Sequence, residues 1–82
     1  MARLPRDLSG RDLAGALRRY GYEVTRETGS HLRLTTQQGG EHHVTIPDHA
    51  SLRVGTLAGI LADVAAHLKI ERRALVMALF ER

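Results

Sequence analysis

The sequence predicts a small α+β fold, α-β-β-β-α, in which a three-stranded antiparallel sheet is covered by helices on one face and followed by a short C-terminal helix. Three observations predict it. Between Tyr22 and Pro47 three segments alternate polar and apolar residues with the period of a half-buried strand. The segments before and after them space their apolar residues as a helix does. The chain also has 82 residues, 43% of them hydrophobic, with no cysteine, no tryptophan and only Tyr20, Tyr22 and Phe80 as aromatics. That suffices for one domain with a modest aliphatic core over about 8–68, extended by about 70–82, and it excludes a disulfide framework.

The first helix is expected over Leu8 to Tyr20, with Ser9 as N-cap, Asp12 closing a capping box, and Leu13, Ala16, Leu17 and Tyr20 on one face. Gly21 stops it. The first strand runs from Tyr22 to Glu27 with Tyr22 and Val24 on the same side, and the second from His31 to Thr36 with Leu32 and Leu34 facing inward. A Gly-Gly turn over residues 37–41 leads to a third strand ending at Pro47, with His42, Val44 and Ile46 facing one way and His43 and Thr45 the other. A second helix begins near Gly55-Thr56 and carries Leu57, Ile60, Leu61, Val64 and Leu68; a third covers Ile70 to Arg82 with Leu75, Val76, Leu79 and Phe80.

Twelve Lys plus Arg against nine Asp plus Glu give a net charge of +3, and eleven of the twelve cations are Arg. Guanidinium suits planar, bidentate contact with phosphate, which points to a polyanionic partner. No apolar run reaches the roughly 20 residues of a membrane span and no signal-peptide pattern opens the chain, so a cytoplasmic site is expected.

Thr28-Gly29-Ser30-His31 is the stretch with chemistry in it. It puts an imidazole, whose unperturbed pKa of about 6.5 allows proton transfer at neutral pH, where a strand follows a tight turn. If Leu32 and Leu34 face the helices, His31, Arg33 and Thr35 face outward, with His31 and Arg33 about 7 Å apart. That separation suits one phosphodiester: Arg33 on a non-bridging oxygen, His31 on a ribose 2′-hydroxyl proton, and the Gly29 and Ser30 amides toward the developing charge. Arg26 flanks the same turn. Arg11, Arg18 and Arg19 lie on the outer side of the first helix, and Thr56 offers an amide and hydroxyl to phosphate or caps its helix. His43 shares the outer face with His31, while His67 reads as a cation at a helix C-terminus. His42, His43 and His49 do not form a convincing metal site, because adjacent strand residues point to opposite faces. No metal and no cofactor are expected.

Several of these pieces occur together in one known family. Gly21-Tyr22 after a helix, then Gly29-Ser30-His31, then Thr45-Ile46-Pro47-Asp48-His49, then Gly55-Thr56-Leu57 with Ile60-Leu61 make an ordered set that resembles the HicA family of small bacterial toxins. The resemblance spans roughly Ser9 to Leu68, although Leu32-Arg33-Leu34 departs from the family pattern after the histidine. It implies a fold like the double-stranded-RNA-binding domain, an mRNA-cleaving ribonuclease with His31 as its catalytic residue, and neutralisation by a HicB-type antitoxin. The alternative from another class is a non-catalytic RNA-binding module of the same fold. A third reading, DNA binding by a helix-turn-helix over Ala58 to Phe80, ranks last because the strands already require Leu61 to Leu68 as a core-covering helix.

Overall fold

A computed structural model describes residues 4–81. Its elements are α1 (Gly10–Leu17), a 3₁₀ turn (Arg18–Tyr20), β1 (Glu23–Glu27), β2 (His31–Thr36), β3 (His42–Pro47), α2 (Val54–Leu68) and α3 (Arg72–Phe80). The strands form one antiparallel sheet in the order β1-β2-β3. This is the α-β-β-β-α layout expected, with α3 added.

The capping box forms as the sequence requires: the Asp12 N–H donates to Ser9 Oγ at 2.9 Å and the Ser9 N–H to Asp12 Oδ2 at 3.3 Å. The α-helix is nonetheless shorter than the Leu8–Tyr20 expected. It starts at Gly10 because the Gly10 N–H is taken by the His49 carbonyl (2.9 Å), and it tightens into the 3₁₀ turn before Gly21, whose φ of 81° ends it. Only glycine fits at position 10, since a Cβ there would meet the Pro47 carbonyl oxygen. The buried side of α1 is Gly10, Leu13, Ala14 and Leu17, with Ala16 and Tyr20 at its margin.

Alternation holds without exception in β2 and β3. Leu32, Leu34, Val44 and Ile46 are buried under α1 and α2, and their neighbours His31, Arg33, His43 and Thr45 are exposed. β1 begins at Glu23, one residue later than expected; Val24 lies on the same side as Tyr22, as expected, but is 44% exposed at the sheet edge while Tyr22 is fully buried. The pairing shifts between Val24 and Arg26, so Thr25 is an extra residue in a bulged edge strand. Val24 instead lines, with Ala14, Gly15 and Leu32, a surface groove of about 480 Å³ between α1 and β1, on the helix side of the sheet.

α2 starts one residue before the expected position, with extended Arg53 as N-cap, so Thr56 is not the cap. Lys69, at φ 58°, turns the chain into α3, which begins at Arg72, two residues after the expected Ile70, and ends at Phe80; Arg82, the expected last residue, lies outside the described residues. Leu57, Leu61, Val64, Leu75 and Val76 join Leu13 and Leu17 in the core, where full burial of each large aliphatic side chain contributes roughly 1.5–3 kcal/mol. The inner faces of α2 and α3 are therefore spent on packing. No described helix is long and apolar enough to cross a membrane.

Candidate active site

The β1–β2 turn is held from three sides. Thr28 grips the His31 backbone twice, its N–H donating to the His31 carbonyl (3.0 Å) and its Oγ1 accepting from the His31 N–H (3.2 Å). The Asp48 N–H donates to the Ser30 carbonyl (2.9 Å), pinning the turn to the chain leaving β3. Arg11 reaches across from α1 to Glu27 (2.8 Å) and Asp48 (2.9 Å). Asp48 first and Glu27 second raise the Arg11 pKa, so this guanidinium is committed to ion pairs. Backbone order is thereby imposed on an exposed segment.

Gly29 has an ordinary φ, and the space a Cβ would fill is open. Nothing in the folded chain requires glycine there, which leaves room for a ligand beside the next residue. The His31 side chain is exposed, its Nδ1 lies 2.9 Å from Ser30 Oγ, and its Nε2 has no hydrogen-bond partner among the described residues. When Nδ1–H donates to Ser30 Oγ, Nε2 carries its lone pair outward as a base would need.

Arg33 lies two residues along β2, about 7 Å from His31, and Arg26 of β1 is its direct partner in the register. Like charges placed opposite one another in a sheet are destabilising. Among the described residues neither guanidinium has a carboxylate partner, so the open face holds two uncompensated cations beside the imidazole. Thr56 is exposed in the first turn of α2 and no hydrogen bond joins it to this group. His43 does share the open face, but the register sets it four residues of rise from His31, about 13 Å, too far for both to act on one phosphodiester.

The remaining histidines serve the fold. His42 points to the helix side, opposite His43, where its Nδ1 meets the Tyr22 hydroxyl (2.7 Å) and its Nε2 meets Asp63 Oδ1 (3.2 Å). Its ring stacks on that of His67 with centroids 4.3 Å apart and planes 8° apart. His67 Nε2 faces the carbonyls of Gln38 (2.9 Å) and Gly40 (3.1 Å), so it must donate a proton to them; the residue ties α2 to the β2–β3 turn. Burial first and Asp63 second push the Tyr22 phenol up to about 12, which keeps it a hydroxyl donor. This cluster was not foreseen as a unit, although Asp63 and His67 at i, i+4 on one helix face opposite the inward His42 was a readable signal. His49 contributes its backbone carbonyl to α1 and its side chain to solvent. Among the described residues, no three His, Cys, Asp or Glu side chains converge as ligands would.

No curated protein and no solved structure is significantly similar to this chain. One family model, described as HicA toxin of bacterial toxin-antitoxin, matches residues 10–65, which contain α1, the whole sheet, the Gly29-Ser30-His31 turn and most of α2. With more than half of its length matched, the chain belongs to the HicA family and is the toxin of a toxin-antitoxin system, a role that implies a cognate antitoxin.

Proposed function

We propose that this toxin is a metal-independent endoribonuclease that cleaves messenger RNA in the cytoplasm without the ribosome, and that a HicB-type antitoxin holds it inactive. The observation that carries the reading is an exposed imidazole, fixed at its backbone, whose Nε2 has no partner among the described residues and which sits beside two guanidiniums with no carboxylate partner among them. Such a face attracts a polyanion and can move a proton on it.

The chemistry balances with the groups present. His31 Nε2 removes the ribose 2′-hydroxyl proton, the 2′-oxygen attacks the adjacent phosphorus, and the bond from phosphorus to the 5′-oxygen breaks. Arg33, with Arg26 opposite, neutralises the charge gathering on the non-bridging oxygens, and the Gly29 and Ser30 amides lie beside the same turn. The leaving 5′-oxygen takes a proton from water on this open surface, giving a 2′,3′-cyclic phosphate and a 5′-hydroxyl. Ser30 is a positioning residue, because it selects which His31 nitrogen faces the RNA.

The test is to incubate the wild type and His31→Ala with end-labelled mRNA in EDTA without ribosomes, and to map the ends. Cyclic-phosphate and 5′-hydroxyl ends that form in EDTA and disappear with His31→Ala are expected. Ends bearing a 3′-hydroxyl and a 5′-phosphate rule out attack by the 2′-oxygen. Intact RNA bound equally by both proteins replaces the enzyme with an RNA-binding module.

A further inference from the structure

The open face carries a second ordered feature that chemistry at His31 leaves unused. Beyond Arg33, four side chains form one hydrogen-bonded row across all three strands: Thr25 Oγ1 to Thr35 Oγ1 at 2.8 Å, Thr35 Oγ1 to His43 Nδ1 at 2.7 Å, and His43 Nε2 to Glu41 Oε2 at 2.9 Å. None of the four belongs to the core. Exposed polar side chains lose rotamer entropy when they bond to one another instead of to water, so this row fixes the imidazole at its centre against a cost.

What the ring can bind follows from what is already occupied. Both nitrogens are engaged, and Glu41 sets a carboxylate against Nε2. A phosphate there would find no free N–H and would face a like charge. The ring's faces remain. One anchor lies across the sheet on β2 and the other lies back along the chain just before β3, so the ring is held at both nitrogens in one orientation. The His43 side chain is 38% exposed in that position.

Spacing supplies the second argument. Thr35 and His43 are cross-strand partners two positions beyond Arg33 and Thr45, which are themselves two positions beyond His31 and Pro47. Each step is about 7 Å, a distance comparable with one repeat of an extended sugar-phosphate chain. RNA with its scissile phosphate held between His31 and Arg33 and its chain running on along β2 therefore brings a flanking base over His43.

We propose that His43 is a stacking platform for an unpaired nucleobase close to the scissile bond, and hence that the substrate is single-stranded RNA. The proposal rests on the ribonuclease reading above and adds the strandedness of the substrate and a subsite to it. Every base has a π face, so a platform of this kind selects strandedness more than sequence.

The experiment uses His31→Ala protein, which leaves RNA intact, and a short single-stranded oligoribonucleotide with 2-aminopurine walked through each position. Quenching at one position is expected, together with about tenfold weaker binding and no quenching when His43→Ala is added. His43→Phe restores both and His43→Gln restores neither. With His31 intact, His43→Ala lowers kcat/KM mainly through KM. If Gln preserves affinity while Phe behaves as Ala does, the ring makes a polar contact and the platform is refuted; duplex RNA bound as tightly as the single strand refutes it too. Position-specific quenching in a wild-type protein that cleaves no RNA would uphold the platform and remove the ribonuclease.

Discussion

His42 and His43 are adjacent in the chain, yet they belong to different economies. On the helix side His42 is only 19% exposed and is bonded at both nitrogens to Tyr22 and Asp63, with His67 stacked on its ring. On the open side His31 and Arg33 are exposed, and among the described residues the His31 Nε2 and the Arg26 and Arg33 guanidiniums have no partner. The comparison teaches that a histidine's type says little about its role. The sheet face it occupies, set by a single step of the pleat, decides whether its ring is packed on the helix side of the sheet or presented to solvent on the open side.

The largest expected effect separates the two faces outright. His31→Ala should lower RNA cleavage by roughly 10²–10⁴-fold, the contribution typical of a positioned general base, with no measurable change in the thermal midpoint. His42→Ala should do the reverse: about 2–3 kcal/mol of stability is lost, because the Tyr22 hydroxyl is left buried without its partner and the stack on His67 is broken, while cleavage persists below the lowered midpoint. Calorimetry and the end-mapping assay on both variants check the pair. Two variants that lose stability and activity together would break the comparison.

A smaller effect tests the helix side alone. Folding raises the Tyr22 phenol from its ordinary value of about 10 to about 12, so the protonated form is favoured in the native state. The native chain then binds more protons than the unfolded chain between those values, and the stabilisation, present in full below about pH 10, is lost as pH rises toward 12. A displacement of that size corresponds to roughly 2–3 kcal/mol. Tyr22→Phe should cost about 1 kcal/mol at pH 7 through the lost bond to His42, and should flatten this alkaline decline, as urea midpoints between pH 8 and pH 12 will show.

The smallest expected effect has an unusual sign. Arg26→Ala or Arg33→Ala removes a like-charge pair directly opposite in the sheet, so stability should rise by a few tenths of a kcal/mol. RNA affinity should fall, and the slope of log affinity against log salt should become shallower by about one for each phosphate contact removed. A loss of affinity with an unchanged salt slope would take these residues off the phosphate path.

What could be read in advance divides along physical lines. β2 and β3 were legible to the residue because six-residue alternation over a one-sided core leaves a single register, and Ser9 with Asp12 announced the start of α1 through side-chain chemistry. Thr25 and Arg26 escaped the alternation because a bulge adds a residue without any local signature, and an edge strand has only one partner to enforce its register. The position of α1 against residues 47–52 was illegible as well, since it depends on Gly10 meeting Pro47 and on the Leu52 N–H donating to the Leu8 carbonyl (2.7 Å), contacts some forty residues apart in sequence. For the candidate site, His31 and Arg33 fell where the alternation put them, and Arg26 fell beside the turn. The commitment of Arg11 and the detachment of Thr56 from them follow from tertiary contacts that no spacing encodes.

The open face of the sheet also bears on how such a chain can change over generations. A substitution among its outward residues draws nothing from the core, so it leaves the protein above the stability threshold that purges most mutations. Substitutions on the other face must satisfy Tyr22, His42, Asp63 and His67 together. One surface of a three-stranded sheet can therefore drift and be reselected for a new ligand, while the surface a few ångströms beneath it is held fixed by the need to fold.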